Sequence, residues 1–293
     1  MHAELAVDYF NLRGLDVSKQ LLDETIAGYR QTLDLTKNRL VVGVSSQADV
    51  TEAETQLQAT EAQDIDLGVT RAQYEHAIAT LTGVPASCFT LSPANANFTP
   101  PVIPVGLPSE LLQRRPDIAA AERRVAAAND QIGIAESAFF PNLLLSATGG
   151  VESSSLTNWL TAPARMWAIG PALAGALFDG GRRRAMSEKA QAQYDASVAD
   201  YRQTVLTAFQ EVEDNLASLR ILQQEASKQD EAVVSAKKTL QLELDQYRIG
   251  TIDYLEVVAA QRTVLANERA ALDLARRRMD ASVLLVKALG GIW

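Results

Sequence analysis

Two four-residue stretches hold the side chains whose types and spacing point most directly to chemistry. Ser46-Gln47-Ala48-Asp49 and Asp253-Tyr254-Leu255-Glu256 each place an acid three residues after a Ser or Asp. Both read as capping boxes, in which the first side chain accepts a backbone N–H and the acid reaches back to its own. No catalytic constellation accompanies them. The chain has no Gly-rich phosphate loop and no nucleophile with a nearby base, so an enzyme is not expected. His2 and His76 are far apart, Cys88 is the single cysteine, and no grouping has zinc spacing, so neither metal nor cofactor is expected. A net charge of −9 with no broad basic face argues against a nucleic-acid partner; Arg182, Arg183 and Arg184 are too few to change that.

The elements that carry these tetrads are long. Residues 182–249 contain neither Gly nor Pro, and Val198, Val205, Val212, Leu219, Ala226, Val233, Leu240 and Tyr247 recur every seven residues. A strict seven-residue repeat keeps one apolar seam against a partner helix, as in a left-handed coiled coil. At 1.5 Å per residue this helix would be roughly 100 Å long, too long for an ordinary buried helix. Gly250 ends it, and residues 251–289 read as a returning helix. Gly43 and Gly250 are the expected turn positions, being able to take positive φ at a helix C-terminus.

Shifting the chain by 207 positions exposes an ungapped internal repeat. Leu12 falls on Leu219, Asp23 on Asp230, Thr32 and Leu33 on Thr239 and Leu240, Gly43 on Gly250, and Gly83 on Gly290. The chain therefore holds two copies of one helical hairpin. The first copy starts at the counterpart of Ala208, MHAELAVDYF reads as helix interior, and no charged-then-apolar leader precedes it. An N-terminally incomplete chain is the expectation.

The organisation expected is a first hairpin over 1–83, a Pro-rich connector over 84–108, a helix over 109–140 with Pro116 in its first turn, a strand pair within 141–180, and a second hairpin over 181–293. In residues 142–152, Leu143, Leu145, Ala147, Gly149 and Val151 alternate with more polar positions. In 165–178, Trp167, Ile169, Leu173 and Leu177 share one side, with small residues opposite. Each run has about the 9–11 residues that a tilted strand needs to cross a bilayer. Periodicity fits equally a soluble hairpin packed on the helices. Two strands cannot close a barrel, so the chain is expected to associate.

The run LLQRRPDIAAAERRVAAANDQIGIAESAFFPNLLLSATGG resembles the signature of the outer-membrane efflux protein family, the TolC-like channels, in its NodT-type drug and metal subgroup. WAIGPALAGALFDGGRRRA resembles the family's second strand leading into its long helix. RLVVGVSSQADVTEAETQL and YRIGTIDYLEVVAAQRTVLANE resemble its two hairpin tips. The resemblance implies a mainly α fold with a β-strand pair: coiled-coil hairpins forming an α-barrel tunnel in the periplasm, and strands of a trimeric transmembrane β-barrel. It implies a homotrimer in the outer membrane of a Gram-negative bacterium, working with a periplasmic adaptor protein and an inner-membrane RND-type pump. The function implied is passive export of drugs, metals or other small molecules. An adaptor-like coiled-coil protein and the outer-membrane component of a type I secretion system are the alternatives, and the duplicated hairpin disfavours the adaptor. Against the family pattern, the first helix, first strand pair, leader and lipid-modified cysteine have no counterpart, and Cys88 is expected to be a packed connector residue.

The resemblance also implies roles at the tips. Three copies around an axis would gather Asp49, Asp253 and Glu256 into carboxylate rings at a tunnel mouth; Glu256 falls on an acidic family position, whereas Ala259 stands where relatives often have a second acid. Tyr247 falls where the family links neighbouring helices near the constriction, although its heptad position also makes it a seam residue. Gly43, Ser46 and Gly250 are the expected turn residues of the two tips.

Overall fold

A computed structural model describes residues 1–94, 98–101, 115–152, 154, 162 and 165–291. In chain order it contains α1 (His2–Val41), α2 (Gln47–Thr82), a 3₁₀ turn (Ala86–Cys88), α3 (Pro116–Ser137), β1 (Asn142–Val151), β2 (Arg165–Ala174), α4 (Arg182–Ile249) and α5 (Tyr254–Ala288). Helix α4 occupies the whole Gly- and Pro-free run of 68 residues. Among the described residues, no helix is long and apolar enough to cross a membrane. The chain divides into two compact units, Met1–Arg114 with Ala208–Trp293, and Arg115–Thr207.

The first unit is a four-helix arrangement built from both hairpins. Lys19 pairs with Asp64 and Lys37 with Glu54, so α1 and α2 run antiparallel. Arg278 bonds Gln223 and Lys237 pairs with Glu268, which gives the same sense to α4 and α5. Across the hairpins, Gln261 donates to Thr32 at 3.1 Å, while Arg262 reaches Glu52 and Arg269 reaches Gln63. Helix α5 is therefore antiparallel to α1 and parallel to α2. The repeat holds down to single hydrogen bonds. Gly43 N–H donates to Leu40 O and Val44 N–H to Arg39 O, and their counterparts Gly250 and Thr251 donate to Tyr247 O and Gln246 O. Gly83 and Gly290 close the returning helices in the same matched way, with φ of 75° and 93°. One core cluster at the tips draws Leu33, Val50, Ala53, Tyr247, Tyr254, Val257 and Val258 from all four helices. In α4 the seven-residue seam is fully buried only at Val212 and Tyr247, and its other members are half-buried.

The start of the connector is clamped to α1 and α2 by buried charge. Asp16 accepts from Arg13 and Arg71, each at 2.8 Å, and also from the Ala94 N–H. Arg13 and Arg71 donate onward to the carbonyls of Ser92 and Leu91, and Glu75 accepts both Arg71 and the Leu91 N–H. The carboxylates offset the cost of burying two guanidinium groups, and main-chain carbonyls take further donors, while the buried Arg13 Nε stays without a partner. Cys88, expected to be packed, is exposed, because the one-turn helix that holds it lies at the surface.

The second unit contains α3, the strand pair and the start of α4. The expected helix over 109–140 is observed from Pro116, at its N-terminal position, to Ser137; residues 109–114 lie outside those described. Strands β1 and β2 are antiparallel in a register from Asn142 opposite Ala174 to Val151 opposite Arg165. Leu143, Leu145, Ala147, Gly149 and Val151 therefore share a face with Leu173, Pro171, Ile169, Trp167 and Arg165. The opposite face pairs Ser146, Thr148 and Gly150 with Gly170, Ala168 and Met166. β2 stops at Ala174 rather than at the expected 178. The next pair in the register would set Gly175 against Pro141, which has no N–H for the ladder.

Candidate functional site

The two hairpin tips meet in one network. Helix α1 ends on Gly43 at φ 77° and α4 on Gly250 at φ 82°, a left-handed turn that glycine makes without Cβ strain. Each turn leaves main-chain carbonyls with spare acceptor capacity at its helix C-terminus. Arg39, in the last turn of α1, crosses to the other hairpin and donates to the carbonyls of Tyr247 and Arg248 in the last turn of α4. Its positive charge also lies at the negative end of the α4 dipole. The same guanidinium lies 4.4 Å from the centre of the Tyr247 ring. A Cβ at Gly250 would meet the Arg39 Nη2 only at an ordinary contact distance of 3.5 Å, so the positive φ rather than crowding calls for glycine there.

Tyr247 is both a seam residue and a link between hairpins. It is buried, it packs against Tyr254 at 5.6 Å, and its hydroxyl donates to Thr36 at 3.3 Å. The hydroxyl also lies 3.0 Å from Ser45 Oγ. Thr36 gives its own proton to Thr32 O, which leaves its oxygen free to accept from the tyrosine. Burial, reinforced by Tyr247 and the carboxylates Glu52 and Asp49, pushes the Tyr254 hydroxyl well above the ordinary phenol range. It stays neutral inside the junction.

The tip acids divide. Ser46 and Asp49 form the expected capping box: Asp49 N–H donates to Ser46 Oγ at 3.2 Å, and Ser46 N–H donates to Asp49 Oδ2 at 2.8 Å. Asp253 and Glu256 do not form one. Asp253 occupies the cap position of α5 with extended backbone but makes no side-chain capping bond, and Glu256 N–H points to the Asp253 main-chain carbonyl at 3.3 Å. Ser46 brings a neutral hydroxyl to its acid. Asp253 would bring a second anion into the same turn as Glu256, so both carboxylates stay in solvent, where both residues are exposed.

Sequence reasoning missed three participants. Arg39 reads as a generic basic residue at a helix end, and its partner lies 208 positions away. Ser45 looks like a neighbour of the cap rather than a partner of Tyr247. Glu243, one turn before Tyr247 on α4, has a buried Oε2 without a partner; burial first and then the Glu256 carboxylate raise its carboxyl above the usual range. The available signal was the repeat itself. Arg39 and Tyr247 fall opposite Gln246 and Leu40, two places where otherwise matching copies differ in chemistry. Among the described residues, no group of three or more His, Cys, Asp or Glu is placed to hold a metal.

Comparison with known proteins fits this architecture. The family model described as outer membrane efflux protein matches residues 1–84 and 107–291, which takes in both hairpins and the strand pair. The chain belongs to the outer membrane efflux protein family. It is 33% identical over 292 residues to the solvent efflux pump outer membrane protein SrpC of Pseudomonas putida, covering 99% of this chain and 62% of that one. The cation efflux system protein CusC of Escherichia coli O6:H1 is 32% identical, over 99% of this chain and 64% of its own length. The crystal structure of the outer membrane protein VceC from Vibrio cholerae superposes with a TM-score of 0.88 at 28% identity, covering 98% of this chain and 69% of that one. The chain spans about six-tenths of the length of the curated relatives it matches. Residues 85–106, between the two matched stretches, correspond to most of the connector.

Proposed function

We propose that this protein is the outer-membrane channel subunit of a tripartite efflux system, assembled as a homotrimer with its helical hairpins in the periplasm of a Gram-negative cell. The observation that carries this reading is the strand pair. Both strands are ten residues long, and one face is lined by Leu143, Leu145, Trp167, Ile169 and Leu173, all largely exposed. An apolar face of that length matches the hydrocarbon thickness that a tilted strand crosses, and its unpaired edges call for strands from further copies. The half-buried seam of α4 leaves apolar surface for a neighbouring helix in the same assembly.

Substrate would be handed over at the hairpin tips by a periplasmic adaptor protein and an RND-type inner-membrane pump. The relatives' names point to organic solvents and metal cations as the classes exported. Asp49, Asp253 and Glu256 stand at the tips, and Arg39 with Tyr247 holds each pair of hairpins closed. In a trimer these acids line the entrance, while the Arg39–Tyr247 junction sets how far each entrance segment opens. The test is reconstitution of the purified protein into planar bilayers, with sedimentation in detergent alongside. Discrete conducting channels from a particle of trimer mass support the reading. A stable monomer that gives no channels overturns it.

A further inference from the structure

The three consecutive arginines at the start of α4 have different surroundings. Arg183 is committed internally: its Nε donates to Asp179 at 2.6 Å, its Nη2 donates to Ala176 O at 2.8 Å, and its guanidinium lies 5.7 Å from the Phe139 ring centre. Asp179 also accepts the backbone N–H groups of Gly181 and Arg183 ahead of α4, and Arg183 holds its carboxyl below the ordinary range. Arg182 and Arg184 are left facing solvent. The Arg182 guanidinium makes no hydrogen bond among the described residues, and Arg184 has only the exposed Glu188, at 3.0 Å. Beside them, at the end of the strand pair where Asn142 meets Ala174, Phe140, Leu177 and Phe178 are 73%, 104% and 91% exposed.

We propose that Arg182 and Arg184, with Phe140 and Phe178, form a binding surface for phospholipid headgroups at the periplasmic edge of the outer membrane. This rests on the reading that the strand pair crosses that membrane. Three observations converge on a lipid. The patch exposes large apolar side chains at the end of the strand pair, just where the ladder stops. Its aromatic rings stand where a barrel's apolar band is flanked by a girdle of aromatic residues. Its two exposed guanidiniums, that of Arg182 without a partner among the described residues and that of Arg184 held only by the exposed Glu188, are forks that match phosphate oxygens and complement anionic headgroups. The nearby charges are Asp179, already satisfied by Arg183, and Glu188 and Lys189 on the exposed first turns of α4.

The experiment uses protein extracted from outer membranes and measures bound phosphatidylglycerol by native mass spectrometry. In parallel, Trp167 fluorescence is followed in vesicles of acyl-brominated phosphatidylcholine, in a Trp159→Phe, Trp293→Phe background. An arginine near an anionic surface contributes about a fivefold change in binding, so Arg182→Gln with Arg184→Gln should weaken phosphatidylglycerol binding about 25-fold while leaving Trp167 quenched. If that pair loses quenching, Arg182→Gln alone carries the comparison, with about a fivefold loss expected. Quenching retained with binding within twofold of wild type overturns the lipid site. The same unchanged binding, together with loss of a co-purifying protein, reassigns the arginines to a protein partner and overturns it too. Absence of quenching in the wild-type protein instead overturns the membrane reading beneath it.

Discussion

Replacing Arg39 by Leu tests the tip junction most directly. The substitution keeps a helix-favouring side chain of similar reach but removes the guanidinium. Four contacts go: the hydrogen bonds to the carbonyls of Tyr247 and Arg248, a long one from Nε to Ser45 Oγ at 3.4 Å, and the cation–π contact at 4.4 Å. The Tyr247 carbonyl keeps a partner, because Gly250 N–H still donates to it at 3.0 Å, so its desolvation costs little. The loss then comes mainly from one charge-assisted bond and a half-exposed cation–π contact, about 2 kcal/mol together. Local opening of the second turn should rise by roughly thirtyfold. Hydrogen exchange reads this at the Gly250 and Thr251 amides, whose acceptors are Tyr247 O and Gln246 O. The Gly43 and Val44 amides bond main-chain carbonyls within α1 and should change by less than about threefold. Tyr247→Phe breaks only the hydroxyl links to Ser45 and Thr36 and costs about 1 kcal/mol; because Arg39 also bonds Ser45 and stacks on the Tyr247 ring, the two substitutions should couple measurably. Unchanged exchange at 250–251 in Arg39→Leu, or strict additivity of the two substitutions, would refute this account of the junction.

Three further outcomes follow from the tips. Asp49→Asn with Glu256→Gln should reduce cation preference and divalent block of the reconstituted channel; unchanged selectivity with only a lower melting temperature leaves these acids outside the conduction path. Ser46→Ala removes a working cap and should cost about 1 kcal/mol by denaturant unfolding, whereas Asp253→Ala, which breaks no side-chain capping bond, should cost much less; equal losses would contradict the two geometries. The Glu243 carboxyl is raised in the folded chain, so its stabilising contribution is present below its ordinary value of 4.5 and lost as pH rises through the raised value. Glu243→Gln should therefore increase stability at neutral pH and flatten the dependence above 4.5, and melting curves across pH 4–8 in which wild type and variant fall in parallel would exclude this role.

Signals confined to one turn or one helix are legible in the sequence, and contacts between distant residues are not. Residues 182–249 show as one helix because no Gly or Pro interrupts them, and Gly250 closes it because only glycine takes φ 82° without strain. Ser46 and Asp49 are legible as a cap because both partners lie within one turn. The identical spacing at Asp253 misleads, because spacing does not register that two anions repel. Apolar alternation runs on to Leu177 and Phe178, yet the strand ends earlier, at a pairing with Pro141 that only the register shows. The link from Arg39 to Tyr247 is invisible to periodicity for the same reason: it is a contact between two repeats rather than a property of either.

The clamp around Asp16 reads the connector entirely through its main chain. Arg13, Arg71, Glu75 and Asp16 hold the carbonyls of Ser92 and Leu91 and the N–H groups of Leu91 and Ala94, and no connector side chain takes part in these bonds. Anchoring is thereby uncoupled from the identity of the anchored residues, so substitutions at 91, 92 and 94 that keep a free N–H at 91 and 94 leave the grip intact. For protein engineering, the clamp marks a border: an epitope tag or fluorophore site introduced after 94 enters a stretch whose start is already secured to the bundle, so its insertion does not have to re-establish where the hairpin ends.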